Sequence, residues 1–220
     1  ARLFDLPFEI GATTSPGFSD RSDSPDTLGD GLVAVKVDGH GRPIWKFDHQ
    51  SQLAAECADV SAQSTEGSTA LMLAAGRGHL SVMDKLVAAG AALEAADIDG
   101  ETALQYACNG GHEAVVRRLL ELRCDVAARA TDGRTALMEA AGRGHVGVVE
   151  ALVAGGAGVG GVDGRGWTAL HHACWKGHEA VVRLLIKHGA DVTARAADGV
   201  TVMMAAAFGG HVGVVDVLVA

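Results

Sequence analysis

The stretch that decides the fold is "GWTALHHACWKGHEAVVRLLIKHGADVTA", residues 166–194. A Thr precedes a short Ala-containing run, a Gly-His pair closes that run, a Val/Leu-rich run follows, and a Gly-bearing turn ends the stretch. Working outward, Thr-Ala-Leu begins at Thr168 and again at Thr69, Thr102 and Thr135, with Thr-Val-Met at Thr201. Gly-His falls at Gly78, Gly111, Gly144, Gly177 and Gly210. Both motifs step by 33 residues, and two independent motifs in one register mark an internal repeat.

Each unit reads as a pair of helices. In "GETALQYACNGGH", Thr102 can cap the amide N–H groups of a short helix that ends at Gly-His. In "EAVVRRLLEL", the pairs Val115/Val116 and Leu119/Leu120 give a helix two apolar flanks, as suits packing between two neighbours. A Gly after this helix fits a left-handed C-cap. Cys57 and Arg123 stand where that Gly is expected, and either one costs about 1 kcal/mol if the geometry is kept. The third unit's "GGAGVGGVDGRG" lacks the usual Asp and Asn-like turn residues and is expected to be the loosest turn.

"GRTALMEAAGRGHVGVVEALV" and the opening stretch carry a resemblance to the ankyrin repeat, with the family's Thr-Pro replaced by Thr-Ala. The resemblance covers residues 67–220 as units 67–99, 100–132, 133–165, 166–198 and a truncated 199–220, and a degraded half-unit, Leu53–Gly67, precedes them. It implies a mainly α solenoid of stacked helix-turn-helix units joined by hairpin-like turns. It also implies that hairpin tips and the exposed ends of the first helices contact a protein partner on a concave face. In the family the Gly-His histidine helps to hold neighbouring units together, which gives His178 a structural role.

The three histidines and one cysteine of "HHACWKGH" raise the question of a metal. His171 and Cys174 can share a helix face, but His172 points about 100° away and His178 lies beyond the helix. Convergence on a tetrahedral ion is therefore not expected. "GGAGVGG", Gly155–Gly161, follows a helix and lacks Gly-Lys-Ser/Thr, unlike a phosphate loop. No nucleophile–base–acid set emerges, so neither catalytic residues nor a cofactor are expected. The formal net charge of −9 argues against nucleic acid as a partner. The four cysteines are dispersed and read as reduced thiols, with two bridges possible in an oxidising compartment.

Two of the three Trp residues, Trp167 and Trp175, fall in slots the repeat register exposes. Exposed Trp is typical of interface hot spots. The expected partner-binding patch is Trp167, His172, Trp175, Lys176, Met204 and Phe208, flanked by Arg134, Arg143, Arg165 and Tyr106. His172 is placed here in a variable slot with Leu73, Tyr106, Glu139 and Met204. The competing reading is that the two indoles cover each other and bind nothing.

Residues 1–31 read as an extended or disordered segment rich in Ser, Asp, Gly and Pro. Leu3, Phe4, Leu6, Phe8 and Ile10 form an apolar string suited to docking on a neighbouring surface. Residues 32–66 are expected to form an N-terminal cap, a β-hairpin over Leu32–Phe47 with a four-residue "DGHG" turn and a helix near Gln50–Glu56. No window suits a membrane span. The start without Met points to a removed presequence or a longer chain, and the compartment is expected to be intracellular, cytoplasmic or organellar. The expected function is a non-catalytic protein-binding module or scaffold. The alternatives are a subunit of a larger complex anchored through its N-terminal segment, or the regulatory part of a longer enzyme.

Overall fold

The structure is a computed structural model and describes residues 32–37, 43–47 and 59–220. The chain divides between Ala58 and Asp59. On the N-terminal side, strands β1 (Leu32–Val37) and β2 (Pro43–Phe47) pair antiparallel, Leu32 opposite Phe47 and Val37 opposite Pro43. Pro43 is the first residue of its strand, where a missing N–H is tolerated. The Leu3–Ile10 string, the "DGHG" turn, the Gln50–Glu56 helix and Cys57 lie outside the described residues.

Residues 59–220 contain ten helices in five pairs. They are α1 (Ala70–Gly76) with α2 (Leu80–Ala88), α3 (Ala103–Gly110) with α4 (Glu113–Glu121), and α5 (Ala136–Arg143) with α6 (Val146–Ala154). Then come α7 (Ala169–Lys176) with α8 (Glu179–Lys187), and α9 (Val202–Gly209) with α10 (Val212–Val219). The first helices of successive pairs pack in one row and the second helices in another, as a solenoid requires. The doubled Val pairs explain this stacking. Val115 and Val116, Val148 and Val149, and Val181 and Val182 are all buried, because their helices have a neighbour on each side. In α2, by contrast, Met83 is buried and Val82 exposed.

A bridge closes the hairpin ahead of each first helix: Gln63 with Thr69, Ala96 with Thr102, Arg129 with Thr135, Val162 with Thr168 and Arg195 with Thr201. Adjacent hairpins are also joined tip to tip. The backbone N–H groups of Ile98, Thr131, Gly164 and Ala197 donate to the carbonyls of Glu66, Asp99, Asp132 and Arg165. The Thr hydroxyl caps its helix at Thr69, Thr168 and Thr201, accepting from the N–H three residues on. Thr135 makes no such bond.

The Gly-His pair locks one unit to the next. Nε2 of His112, His145, His178 and His211 lies 3.0–3.2 Å from the carbonyl oxygens of Gly76, Asn109, Gly142 and Trp175, each 36 residues back. The ring also occupies space left by the preceding unit's glycine. A Cβ on Gly144, whose φ is +79°, would sit 2.5 Å from His178 Nδ1.

Arg123 adopts φ +61°, alone among the described non-glycine residues in having positive φ. Its counterparts Gly90, Gly156 and Gly189 adopt +91°, +94° and +84°. The turn after each second helix differs among units. Asp125 and Asp191 each accept the N–H two residues on, whereas Gly158 stands at that place in the third unit and Ala92 in the first.

Two outcomes follow. In urea denaturation, Arg123→Gly should stabilise the chain by about 1 kcal/mol, while Gly144→Ala should destabilise it by ~2 kcal/mol or more through its φ and the clash with His178. In native-state hydrogen exchange, amides of the Gly158–Gly161 turn should exchange faster than those of the turn at Asp191–Ala194, and equal protection would contradict this account.

Candidate partner-binding site

Of the expected patch, Trp167, His172, Trp175 and Phe208 meet in the fourth and fifth units, whereas Tyr106 of the second unit is engaged with Ser68 and Asp97. Trp167 immediately precedes Thr168, the residue that caps α7. It meets Trp175 edge-on, 5.4 Å between ring centroids, and touches the imidazoles of His171 and His172 at 5.8 and 5.4 Å. Trp175, two turns further along α7, stacks on Phe208 of α9 at 4.5 Å with 15° between planes. The Arg165 guanidinium lies 5.8 Å from the Trp167 ring, within cation–π range. The two indoles do cover one another in part, and both are half-buried. The ladder nevertheless ends in the open, since Phe208 is 76% exposed.

His172 and Tyr106 hold hairpins in place. His172 Nε2 lies 3.0 Å from Oδ2 of buried Asp163, and Tyr106 Oη donates to Asp97 Oδ2 at 2.8 Å, nine residues back in both cases. The other carboxylate oxygen of each Asp accepts the backbone N–H groups two and four residues on: Arg165 and Trp167 for Asp163, Asp99 and Glu101 for Asp97. These two aspartates were not singled out from the sequence. The signal was there: Asp97 and Asp163 share a repeat position, and each has a hydrogen-bonding ring nine residues on. The third unit solves the same problem differently, with Arg134 paired to buried Glu139 at 2.7 Å.

The position of Met204 needs correcting. Its N–H is capped by Thr201 as that of His171 is by Thr168, so Met204 is the counterpart of His171 and Ala205 that of His172. Thr201 to Met204 spans the same three residues as Thr168 to His171, with Met203 at the position of Leu170. Met204 is 56% exposed, whereas Met72, Gln105, Met138 and His171 in the same position are buried beneath a following unit.

That position carries a second link between units. Thr168 N–H donates to His171 Nδ1, which leaves the proton on Nε2, 3.3 Å from the Val200 carbonyl. Gln105 does the same, accepting from Thr102 N–H and donating to the Arg134 carbonyl. In "HHACWKGH", then, His171, His172 and His178 are each engaged with protein partners, and Cys174 is fully buried, its thiol pushed up to about 12 by that burial. Among the described residues no three His, Cys, Asp or Glu side chains are grouped to hold a metal ion, and no helix is long and apolar enough to cross a membrane.

Next to the aromatic ladder lies a pocket of about 500 Å³ between α5 and α7, lined by Arg134, Glu139, Arg143, His172, Lys176 and His178. Burial raises the Glu139 carboxyl, while Arg134 and Arg143 oppose that shift. Burial lowers His172 and Arg134 lowers it further, against the pull of Asp163. Burial alone would raise Asp163, but the Trp167 and Arg165 N–H groups and His172 outweigh it, and its carboxyl is held below the usual range.

The family model described as ankyrin repeats matches the chain three times, over residues 48–130, 125–196 and 163–220. No curated protein matches the chain.

Burial lowers His171 as well as His172 in the fold, so the unfolded chain binds protons more readily near pH 6. Their contribution to stability is complete above the ordinary histidine value of 6.5 and falls as the pH drops through the lowered values. Urea midpoints should therefore decline between pH 7 and 5, and His171→Gln, which keeps both hydrogen bonds, should flatten that decline.

Proposed function

Since the chain belongs to the ankyrin-repeat family, whose repeats serve as protein-interaction modules, we propose that it is a non-catalytic binder gripping a partner polypeptide along its first helices and hairpin tips. The observation that carries this reading is the aromatic ladder Trp167–Trp175–Phe208. Its inner rungs are locked against α7, and its last ring is left 76% exposed. An aromatic side chain held rigid by stacking loses little conformational freedom on binding, which is why such rings concentrate interface energy. Lys176 and Arg165 supply charge at the edge of the patch, and Arg143 and Arg134 extend it toward the third unit.

His172 and Tyr106 serve this surface indirectly. By clamping Asp163 and Asp97 they fix the hairpins from which Arg165 and the other tip residues project. Trp167 is partly structural as well, because it packs on both histidines of α7.

Trp175→Ala/Phe208→Ala tests the proposal without disturbing the Asp163 clamp. Proteins retained from a native extract by the wild-type chain should fall about tenfold or more with this variant, quantified by mass spectrometry at matched thermal stability. Retention that does not change would sink the aromatic patch.

A further inference from the structure

The pocket between α5 and α7 has an electrostatic character that the aromatic ladder does not explain. Arg143 and Lys176 occupy the same repeat position, the last residue of the first helix, in consecutive units. The other three units place Arg77, Gly110 and Gly209 there, so two adjacent units both carry a cation only at this junction. Both side chains belong to exposed residues and line one pocket, and among the described residues neither makes an ion pair. A third cation, Arg134, pairs with Glu139 at 2.7 Å, yet its Nε is buried without a hydrogen-bond partner. A buried N–H donor without an acceptor is costly. Three cations thus face one carboxylate, and the imidazoles of His172 and His178, with their own partners, add no acceptor aimed at Arg143 or Lys176.

Resting on the partner-binding reading above, we propose that this pocket seats an acidic side chain, Asp or Glu, of the bound polypeptide. An aromatic or aliphatic neighbour of that acid lies on Trp175 and Phe208. Continuity supports the pairing of the two subsites: Lys176 follows Trp175 directly in α7, and His172 both lines the pocket and touches Trp167. A carboxylate suits the site better than a phosphate. The one guanidinium held by a short ion pair is already engaged by Glu139, which a phosphate would have to approach or displace, whereas Arg143 and Lys176 are available to a smaller anion. The chain as a whole is acidic, at −9, so a polyanion such as nucleic acid is repelled at long range while a single carboxylate feels mainly the local cations.

The test selects displayed random peptides on the intact 220-residue chain and measures the winners by fluorescence anisotropy. Enriched peptides should carry Asp or Glu at a fixed spacing from an aromatic or aliphatic residue. Amidating that acid, or Arg143→Gln/Lys176→Gln, should each weaken binding about tenfold, and the two together should weaken it little more, as expected when they remove one shared interaction. The weakening should fade at high salt. Both substituted residues are exposed, and thermal melts report whether the fold is kept. Winners without an acid, lost with Trp175→Ala/Phe208→Ala but indifferent to Arg143→Gln/Lys176→Gln, would overturn the carboxylate pocket and leave the binding face standing. Winners indifferent to both variants, or no enrichment, would count against both readings. Stronger binding by phosphorylated versions of the peptides, or displacement by millimolar inorganic phosphate, would overturn the pocket in favour of a phosphate site.

Discussion

The architecture depends on an imidazole resting on a glycine. His112, His145, His178 and His211 each sit in a notch that exists because the preceding unit has no side chain there, and each Nε2 reaches a carbonyl 36 residues back. The contact is short, polar and directional, so it fixes the rotation of one helix pair relative to the last. Apolar burial alone would tolerate sliding, since Val and Leu flanks attract without direction. The glycine, the ring and the carbonyl recur in one register, and the doubled Val pairs of the second helices are buried as a consequence.

Hairpin links complete the stack on its other side. Tip-to-tip backbone bonds join each hairpin to the next, while Gln105 and His171 tie the start of a first helix to the following hairpin. The means of steadying each tip differ. The hairpins leading into α3 and α7 are held by an aspartate bonded to a ring nine residues on, and the one leading into α5 by Arg134 against Glu139. The third unit therefore lends the pocket a cation where the fourth lends the His172 ring. Chemical variety along the surface arises from how each tip is braced.

Much of this was legible in the residues. The 33-residue period placed all five helix pairs, and the pattern of Val115, Val116 and Leu119 announced two-sided packing. Arg123 stood out because Gly occupies its counterparts, and the structure gives it their left-handed backbone. Two things were not legible. The partial covering of Trp167 depends on rings that approach only after the hairpin folds back over α7, and the period of a helix does not record that return. The offset at Met204 arose because Val202-Met203-Met204 breaks the Thr-Ala-Leu pattern, leaving two methionines that fit neighbouring positions. Side chains that brace other side chains across a turn are set by tertiary geometry, and for Asp163 the sequence offers only a repeat position shared with Asp97 and a ring nine residues on.

The Gly-His junction also bears on how such a chain can change length. Each ring recognises only backbone and one glycine of its immediate predecessor, so every junction presents the same plug to the same socket. An in-frame duplication of one 33-residue block would meet matching partners at both seams and lengthen the array by one step. Copying the fourth block would also lay down a second Trp-Trp-Lys set beside the first. The surface can grow without the scaffold having to be reinvented.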